Sequence, residues 1–559
     1  MASGSHGAQR RDVERLGGGV HAAVGKFGRM FPHLTKYCDA SEVALAQLAF
    51  AMEDVGAAAG RPDNLQIPAG FTYLGQFIDH DLTFDTTALS EVKVDPTAVF
   101  NFRTPRLELD SVYGSGPDGM PYLYKRQDNG FGPSLALGTT SAVPKIDEDF
   151  PAIPAVAGFD LPRLTFTPQG GGEGGCALIG DPRNDENLLV AQTHLAFLHF
   201  HNAVVDRLRG KVPDGALFEE ARREVRWHYQ WIVLHDFLPR LVDLNILHDV
   251  FRHGRKHFTV CRGSDPFMPV EFAGAAYRLG HSMIRQDYSH NRVFTEGGLT
   301  PATFDLLFQF TAKSGDIGKT KGLPGAPSDV LPANWIIDWR RFFRVDGARP
   351  AADNTAPADW SEPTLNFARP FDPYLATELA RRLPFTDPDN PPPRNPMASL
   401  AFRNLMRGVR LQLPSGQAIA RTIGITPLTP AQLTAPATST AEEIAALTTH
   451  GFDRETPLWY YILKEAQLLG GALDDTHNGA TLGPVGSVIL AETFLGLLEL
   501  DPDSFLVQEP KWSPTFGTVD MPDPRDMTRM VKRFTMEDML GFVEASRPKT
   551  GPSFINPLG

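Results

Sequence analysis

Seven residues, Gly75–Asp81, read GQFIDHD and bring an amide, two carboxylates and an imidazole into one short segment. If the segment is helical, Gln76 and His80 stand four residues apart and share a face. Asp79 and Asp81 flank His80 and point elsewhere. Such a helix presents a titratable base, an amide to orient it, an acid beside it and a cation ligand behind it. The same residues also read as a solvated acidic turn with a lone histidine, and the segment alone does not choose.

Four further segments carry compatible chemistry. In TPRLELDSVYG (104–114), Thr104, Arg106, Glu108 and Asp110 alternate. An extended chain would turn these oxygens to one side, a set that suits a hard cation such as calcium, although an acidic strand edge reads the same way. In GDPRNDEN (180–187), Arg183 precedes Glu186 at the entry to a strongly apolar block. Helix capping accounts for Asp185 and Glu186 but not for a positive charge at a helix start. In AAYRLGHSMIR (275–285), His281 lies on an apolar stretch with Arg278 one turn back, a pattern that also fits a core histidine. In FRNLMRG (402–408), Asn404 is a hydrogen-bonding partner or a cap.

The elements that must position these residues are mostly helical. Apolar residues recur at helical spacing over 41–59, 71–84, 186–209, 217–242, 271–288, 457–469 and 487–500. Residues 85–182 and 316–395 are rich in Pro, Gly and Asp and read as long ordered loops. The expected fold is mainly α: one large helical domain over 16–559, little β, and a flexible tail over 1–15. No internal repeat and no low-complexity linker divides it.

Composition narrows the function. The chain has 559 residues, 42% of them hydrophobic, and a net charge of −13. That acidity disfavours binding to nucleic acid or to an anionic membrane surface. Three widely spaced cysteines, Cys38, Cys176 and Cys261, argue against a disulfide framework and a zinc–thiolate site. No apolar stretch is long enough to span a membrane. The first residues lack a secretory apolar region, so a cytoplasmic or leaderless secreted protein is expected. GGGEGG (170–175) opens no clear helix, GDIGKT (315–320) lacks the first glycine of a phosphate loop, and HFHN (199–202) turns its histidines apart.

GQFIDHD, LDSVYGS, GDPRNDEN, YRLGHS and RNLMRG, in this order, resemble the animal-type haem peroxidases of the peroxidase–cyclooxygenase superfamily, whose members include lactoperoxidase, myeloperoxidase and many bacterial proteins. The resemblance runs from about FGRMFP (27–32) to DPDSF (501–505). It implies a bacterial haem b peroxidase with covalent haem and bound calcium. Such an enzyme reduces hydrogen peroxide and oxidises halide, thiocyanate or small phenolic donors through an oxoferryl intermediate. His80 matches the distal acid–base histidine, Gln76 the glutamine that orients water or anions beside it, and Arg183 the distal arginine. His281 matches the proximal ligand of the haem iron, Asn404 the asparagine on its other nitrogen, and Arg278 an arginine near a propionate. Asp79 and Glu186 match carboxylates that form esters with haem. Asp81, Thr104, the Arg106 carbonyl, Glu108 and Asp110 match the calcium ligands.

Three positions depart from the family pattern. Asn187 stands where myeloperoxidase has a methionine linked to haem, so two ester links are expected at most. Glu108 and Asp110 replace the usual aspartate and serine, which makes the calcium site more acidic. Arg278 occupies the place of the radical tyrosine of the dioxygenase branch, with Tyr277 one residue out of phase. Peroxidase is therefore preferred to a fatty-acid dioxygenase, and both to a peroxinectin-like adhesion or scaffold protein. The electron donor and the oligomeric state are not readable from these residues.

Overall fold

The computed structural model describes residues 25–35, 40–55, 60–84, 100–128, 130–145, 151–164, 175–260, 266–295, 298–318, 329–345, 349–350, 364–381, 395–548 and 550–558. The expected tail, Cys38 and Cys261 lie outside them. Eight helices matter for the site: α1 (Glu42–Ala51), α2 (Gly70–Leu82), α3 (Leu188–Leu208), α4 (Leu217–Ile232), α5 (Leu400–Arg410), α6 (Leu458–Leu469), α7 (Pro484–Leu500) and α8 (Met536–Ser546). Strands are short and pair in twos and threes. Gly25–Gly28 joins Phe100–Asn101 and Met268–Pro269, and Asp520–Asp523 pairs with Asp526–Lys532. The mainly helical expectation holds.

The central helix is α3. Apolar residues occur all round it, so it is buried on nearly every side. It packs against α2, α4 and α8. Phe77 of α2 lies flat on Phe197 of α3, ring centres 4.7 Å apart, and both meet the edge of Tyr229 from α4. These fully buried aromatics bring the large apolar area that holds α2 in place. Asn187, rather than Asp185 or Glu186, caps α3: its Oδ1 accepts from the Val190 amide at 3.0 Å. Asp185 is taken up by Arg163, at 2.7 and 3.0 Å.

One expected helix is broken. Residues 271–288 form a short helix, Val270–Gly274, then a 3₁₀ turn, Ala276–His281, and then extended chain. Ala275, at φ −140° and ψ −69°, makes the break. Gly274 packs closely on Leu411, where a Cβ would come within 2.6 Å, and Gly280 further weakens helical continuity. The turn packs against α2, α6 and α7, and so carries His281 towards the helix that carries His80. Helix α4 continues through a π-type turn, Val233–Phe237, into Leu238–Leu241.

Candidate active site

GQFIDHD forms the last turns of α2, as its spacing predicts. Gly75, Gln76 and Asp79 are the only residues of this helix that are not buried, and they share one face. The face opens towards the 3₁₀ turn: the Tyr277 hydroxyl donates to the Gly75 carbonyl at 3.1 Å. Tyr277 is buried, and its phenol is pushed well up by that burial and by Asp79. Open space adjoins Gly280, where a Cβ would meet nothing within 4 Å.

His80 is buried and held from several sides. Its Nδ1 lies 2.8 Å from Asn184 Oδ1, and its Nε2 lies 3.9 Å from Glu186 Oε1. Gln76 Nε2 donates to the same Glu186 oxygen at 2.6 Å, and Asn187 Nδ2 donates to Gln76 Oε1 at 2.8 Å. Burial and Arg183 push the imidazole below its ordinary value, against the pull of Glu186 and Asp181. Its neutral form is therefore favoured at neutral pH.

Arg183 is beside His80 but not on its ring. Its Nη2 donates to the His80 carbonyl at 2.9 Å, while Nε and Nη2 bond to Asp181. Phe84 lies under the guanidinium, 4.5 Å from its ring centre. Burial alone would raise Asp181, but Arg183 and Arg103 hold it well below the usual carboxylate range. Asp79 Oδ1 accepts from the Thr83 hydroxyl at 2.9 Å.

On the opposite wall, Asn404 of α5 places its amide 2.8 Å from His281 Nδ1. This contact fixes the orientation of the imidazole ring. In this orientation the amide nitrogen faces the ring. Iron ligation through Nε2 would require the oxygen to face an Nδ1–H. Arg278 donates through Nε to the Ala273 carbonyl at 3.0 Å, and its own carbonyl accepts from Trp459.

Thr104–Asp110 forms an irregular turn, not the extended chain that its alternation suggested, and brings Glu108 and Asp110 beside Asp81. Asp81 Oδ2 accepts from the Leu109 amide at 3.2 Å. Leu109 sits in the left-handed region at φ 58°, a strained conformation for a leucine. Burial, then Asp110 and Glu108, push Asp81 well up, and Glu108 is raised by burial and Asp110. Asp81 Oδ1 and Asp110 Oδ1 are buried without a hydrogen-bond partner. Thr104 donates to Glu108, Arg103 pairs with Asp110 at 2.8 Å, and the Arg106 side chain turns to Asp501. No set of three or more His, Cys, Asp or Glu side chains with metal-holding geometry occurs among the described residues. A cation here would need hydroxyl and carbonyl oxygens as well as the carboxylates.

The motif reading did not single out Asn184, Asp181, Arg103 or His194. GDPRNDEN contains the first two, but nothing in its spacing says that Asn184 meets His80. His194, two turns into α3, looks like an ordinary core position.

A buried base on one helix and a second histidine, held by an amide, on the facing turn define a candidate haem-binding oxidoreductase site. Residues 87–312 match the family model of the animal haem peroxidases. The matched segment holds Thr104–Asp110, Arg183, Glu186 and His281; GQFIDHD precedes it and Asn404 follows it. The chain is 28% identical to Heme peroxidase 2 of Caenorhabditis elegans over 138 residues, 23% of this chain and 19% of that protein. It is 27% identical to human lactoperoxidase over 216 residues, 35% of this chain and 29% of that protein. The matches therefore span less than a third of either curated relative. Peroxidase A from Dictyostelium discoideum shares the fold, with a TM-score of 0.52 and 15% identity over 87% of this chain and 89% of that one. No helix among the described residues is long and apolar enough to cross a membrane.

Proposed function

We propose that this chain is a haem peroxidase, with one peroxidase domain over residues 16–559, that reduces hydrogen peroxide and oxidises a small donor. The observation that carries the reading is the pair of imidazoles, each engaged at Nδ1 by an asparagine amide. Each ring is thereby fixed in orientation by its amide. The family implies haem, and the residues present fit it: open space lies at Gly280, beside His281, and the face of α2 bearing Gln76 and Asp79 is unburied.

His281 would ligate the iron, and Asn404, with its amide turned so that the oxygen accepts from Nδ1–H, would raise the basicity of the ring. Arg278 would lie near a propionate, and Asp79 and Glu186 would form ester links to the haem. Bound haem supplies the two electrons that cleave peroxide. His80 takes a proton from one peroxide oxygen at Nε2 and returns it to the departing oxygen, work that contributes roughly 10²–10⁴-fold. Gln76 orients the water or anion beside that nitrogen. Arg183 contributes its positive field from beside the His80 backbone, since two of its nitrogens are committed to Asp181 and the His80 carbonyl. Calcium would lie between Asp81 and Asp110, where it would satisfy two buried oxygens, with Thr104, the Arg106 carbonyl and Glu108 as the remaining donors. Halide, thiocyanate and phenols are all donors that the reading admits.

The dioxygenase alternative needs a tyrosine that can lose a proton as it is oxidised. Tyr277 donates to a backbone carbonyl, which is not a proton acceptor at neutral pH. The test is stopped-flow reaction of haem-loaded protein with peroxide. His80→Ala should keep the Soret band and slow the reaction by about 10²–10⁴-fold. An undiminished rate in that variant would remove the assignment of His80.

A further inference from the structure

Asn184 stands between two buried imidazoles. Its Oδ1 lies 2.8 Å from His80 Nδ1, and its Nδ2 lies 2.9 Å from His194 Nδ1. Asn184 and His194 are fully buried, and His80 nearly so. Asn184 lies in the short turn Pro182–Asp185, which Asp181 and Arg163 hold rigid: Asp181 accepts from the Arg183 amide at 2.9 Å, and Arg163 grips Asp185. His194 lies in α3, with its ring edge-on to Phe77 at 5.9 Å.

The chemistry of an amide makes this arrangement directional. Its oxygen only accepts and its nitrogen only donates. In the orientation present, His80 must carry its proton at Nδ1, and His194 must offer a lone pair at Nδ1. The reverse orientation would place a proton on His80 Nε2, the nitrogen that faces Glu186 and Gln76. A neutral His80 in that form has no lone pair to offer the pocket. The two orientations thus correspond to a working and a non-working base. His194 decides between them for as long as its Nδ1 is an acceptor, and burial keeps its ring neutral by pushing it down to about 3.

We propose that Asn184, oriented by His194, is the positioning residue that fixes the Nδ1–H tautomer of His80 and so frees Nε2 to act on the substrate. The assignment rests on the peroxidase reading for its consequence, but not for its geometry. A buried chain of this kind strengthens each bond in it, because the groups polarise one another. The chain also gives His80 one fixed ring orientation, since Nδ1–H has a single partner.

The experiment uses the full chain labelled with ¹⁵N-histidine, without haem, and reads each ring's tautomer from its two-bond ¹H–¹⁵N correlations. The expected result is Nδ1–H for His80 and Nε2–H for His194. Asn184→Asp keeps an acceptor for His80 but removes the donor to His194. It should leave the His80 tautomer unchanged and switch His194 to Nδ1–H. Asn184→Leu should leave His80 as a mixture of tautomers. In haem-loaded protein, the rate of cyanide binding, which needs a base to take the acid's proton, should fall about 10- to 100-fold in Asn184→Leu, less than the roughly 10²–10⁴-fold that a positioned base contributes, because part of the ring population keeps the working tautomer. Asn184→Asp should retain most of it. Should Asn184→Leu fail to fold, His194→Phe frees the amide to turn over and should give the same mixture. An Nε2–H tautomer for His80 in the unaltered protein, or an unchanged tautomer in Asn184→Leu and His194→Phe, overturns the proposal. Expected tautomers in a protein that binds haem but does not react with peroxide would keep this assignment and overturn the peroxidase reading instead.

Discussion

The phenol of Tyr277 donates to the carbonyl of Gly75, and this one bond ties the turn bearing His281 to the helix bearing His80. Tyr277 also stacks on Phe272, ring centres 4.7 Å apart, and meets Phe494 and Phe237. The two walls of the pocket are thus joined through an aromatic cluster.

Tyr277→Phe keeps the stack and removes the bond. It should cost about 1 kcal/mol of stability, the worth of one buried hydrogen bond, and leave peroxide turnover in place. Thermal unfolding and a phenolic-dye assay report both. Loss of all turnover with an intact Soret band would instead give Tyr277 a redox role.

Covalent attachment of haem is open to extraction. Acidic acetone should leave haem on the unaltered protein. Asp79→Val combined with Glu186→Gln should release it, with each single variant releasing part. Glu186→Gln retains a side chain that can still meet Gln76, so the release would report the ester and not a collapsed pocket. Free haem from the unaltered protein would dismiss the tether.

Calcium at Asp81 would offset the mutual repulsion of Asp81, Glu108 and Asp110 and help hold Leu109 in its left-handed conformation. A cation present at about 100 times its dissociation constant stabilises by about 2.7 kcal/mol. Chelation should therefore lower the melting temperature and disturb the Soret band, because Asp81 adjoins His80. Stoichiometric metal analysis that finds no calcium, with melting unaffected by chelator, would dispose of the site.

Glu465 offers a prediction remote from the pocket. It lies in α6, buried against the start of α7, accepts from the Val485 amide at 2.8 Å, and is pushed by burial up to about 8. Its folded value lies above that of the unfolded chain, about 4.3, so the folded state binds more protons between the two. Its contribution to stability is present below the lower value and is lost as pH rises through the higher one. Glu465→Gln should match the unaltered protein near pH 4 and exceed it above pH 8, as read from urea midpoints. A gain equal at both pH values would mean that the effect is packing.

The sequence made α2 legible because Gln76 and His80 repeat at the helical interval, and because their neighbours are apolar enough to be buried. His281 and Asn404 were legible as candidates from the family resemblance. Their contact was implied by that resemblance alone, because 123 residues separate them and no spacing could give it. The stretch 271–288 misled because apolar spacing survives a break at Ala275, next to Gly274, whose backbone packs closely on Leu411. Arg183 lies beside His80 through the backbone carbonyl, but its commitment to Asp181 could not be read from spacing, since a short turn folds the aspartate back onto it. Asn184 was hidden for a similar reason: its importance comes from what it bridges across two helices.

Asn187 does two things at once. Its oxygen caps α3 at the Val190 amide, and its nitrogen holds Gln76. A methionine there, as in myeloperoxidase, would gain a thioether and lose both bonds. Losing the cap alone costs about 0.5–2 kcal/mol, and Gln76 would be left to find another donor. A methionine–haem link at this position would therefore come with the loss of both bonds. A lineage could reach it without that loss only after some other residue had taken over the start of α3, so the order in which changes arrive is constrained by a single side chain.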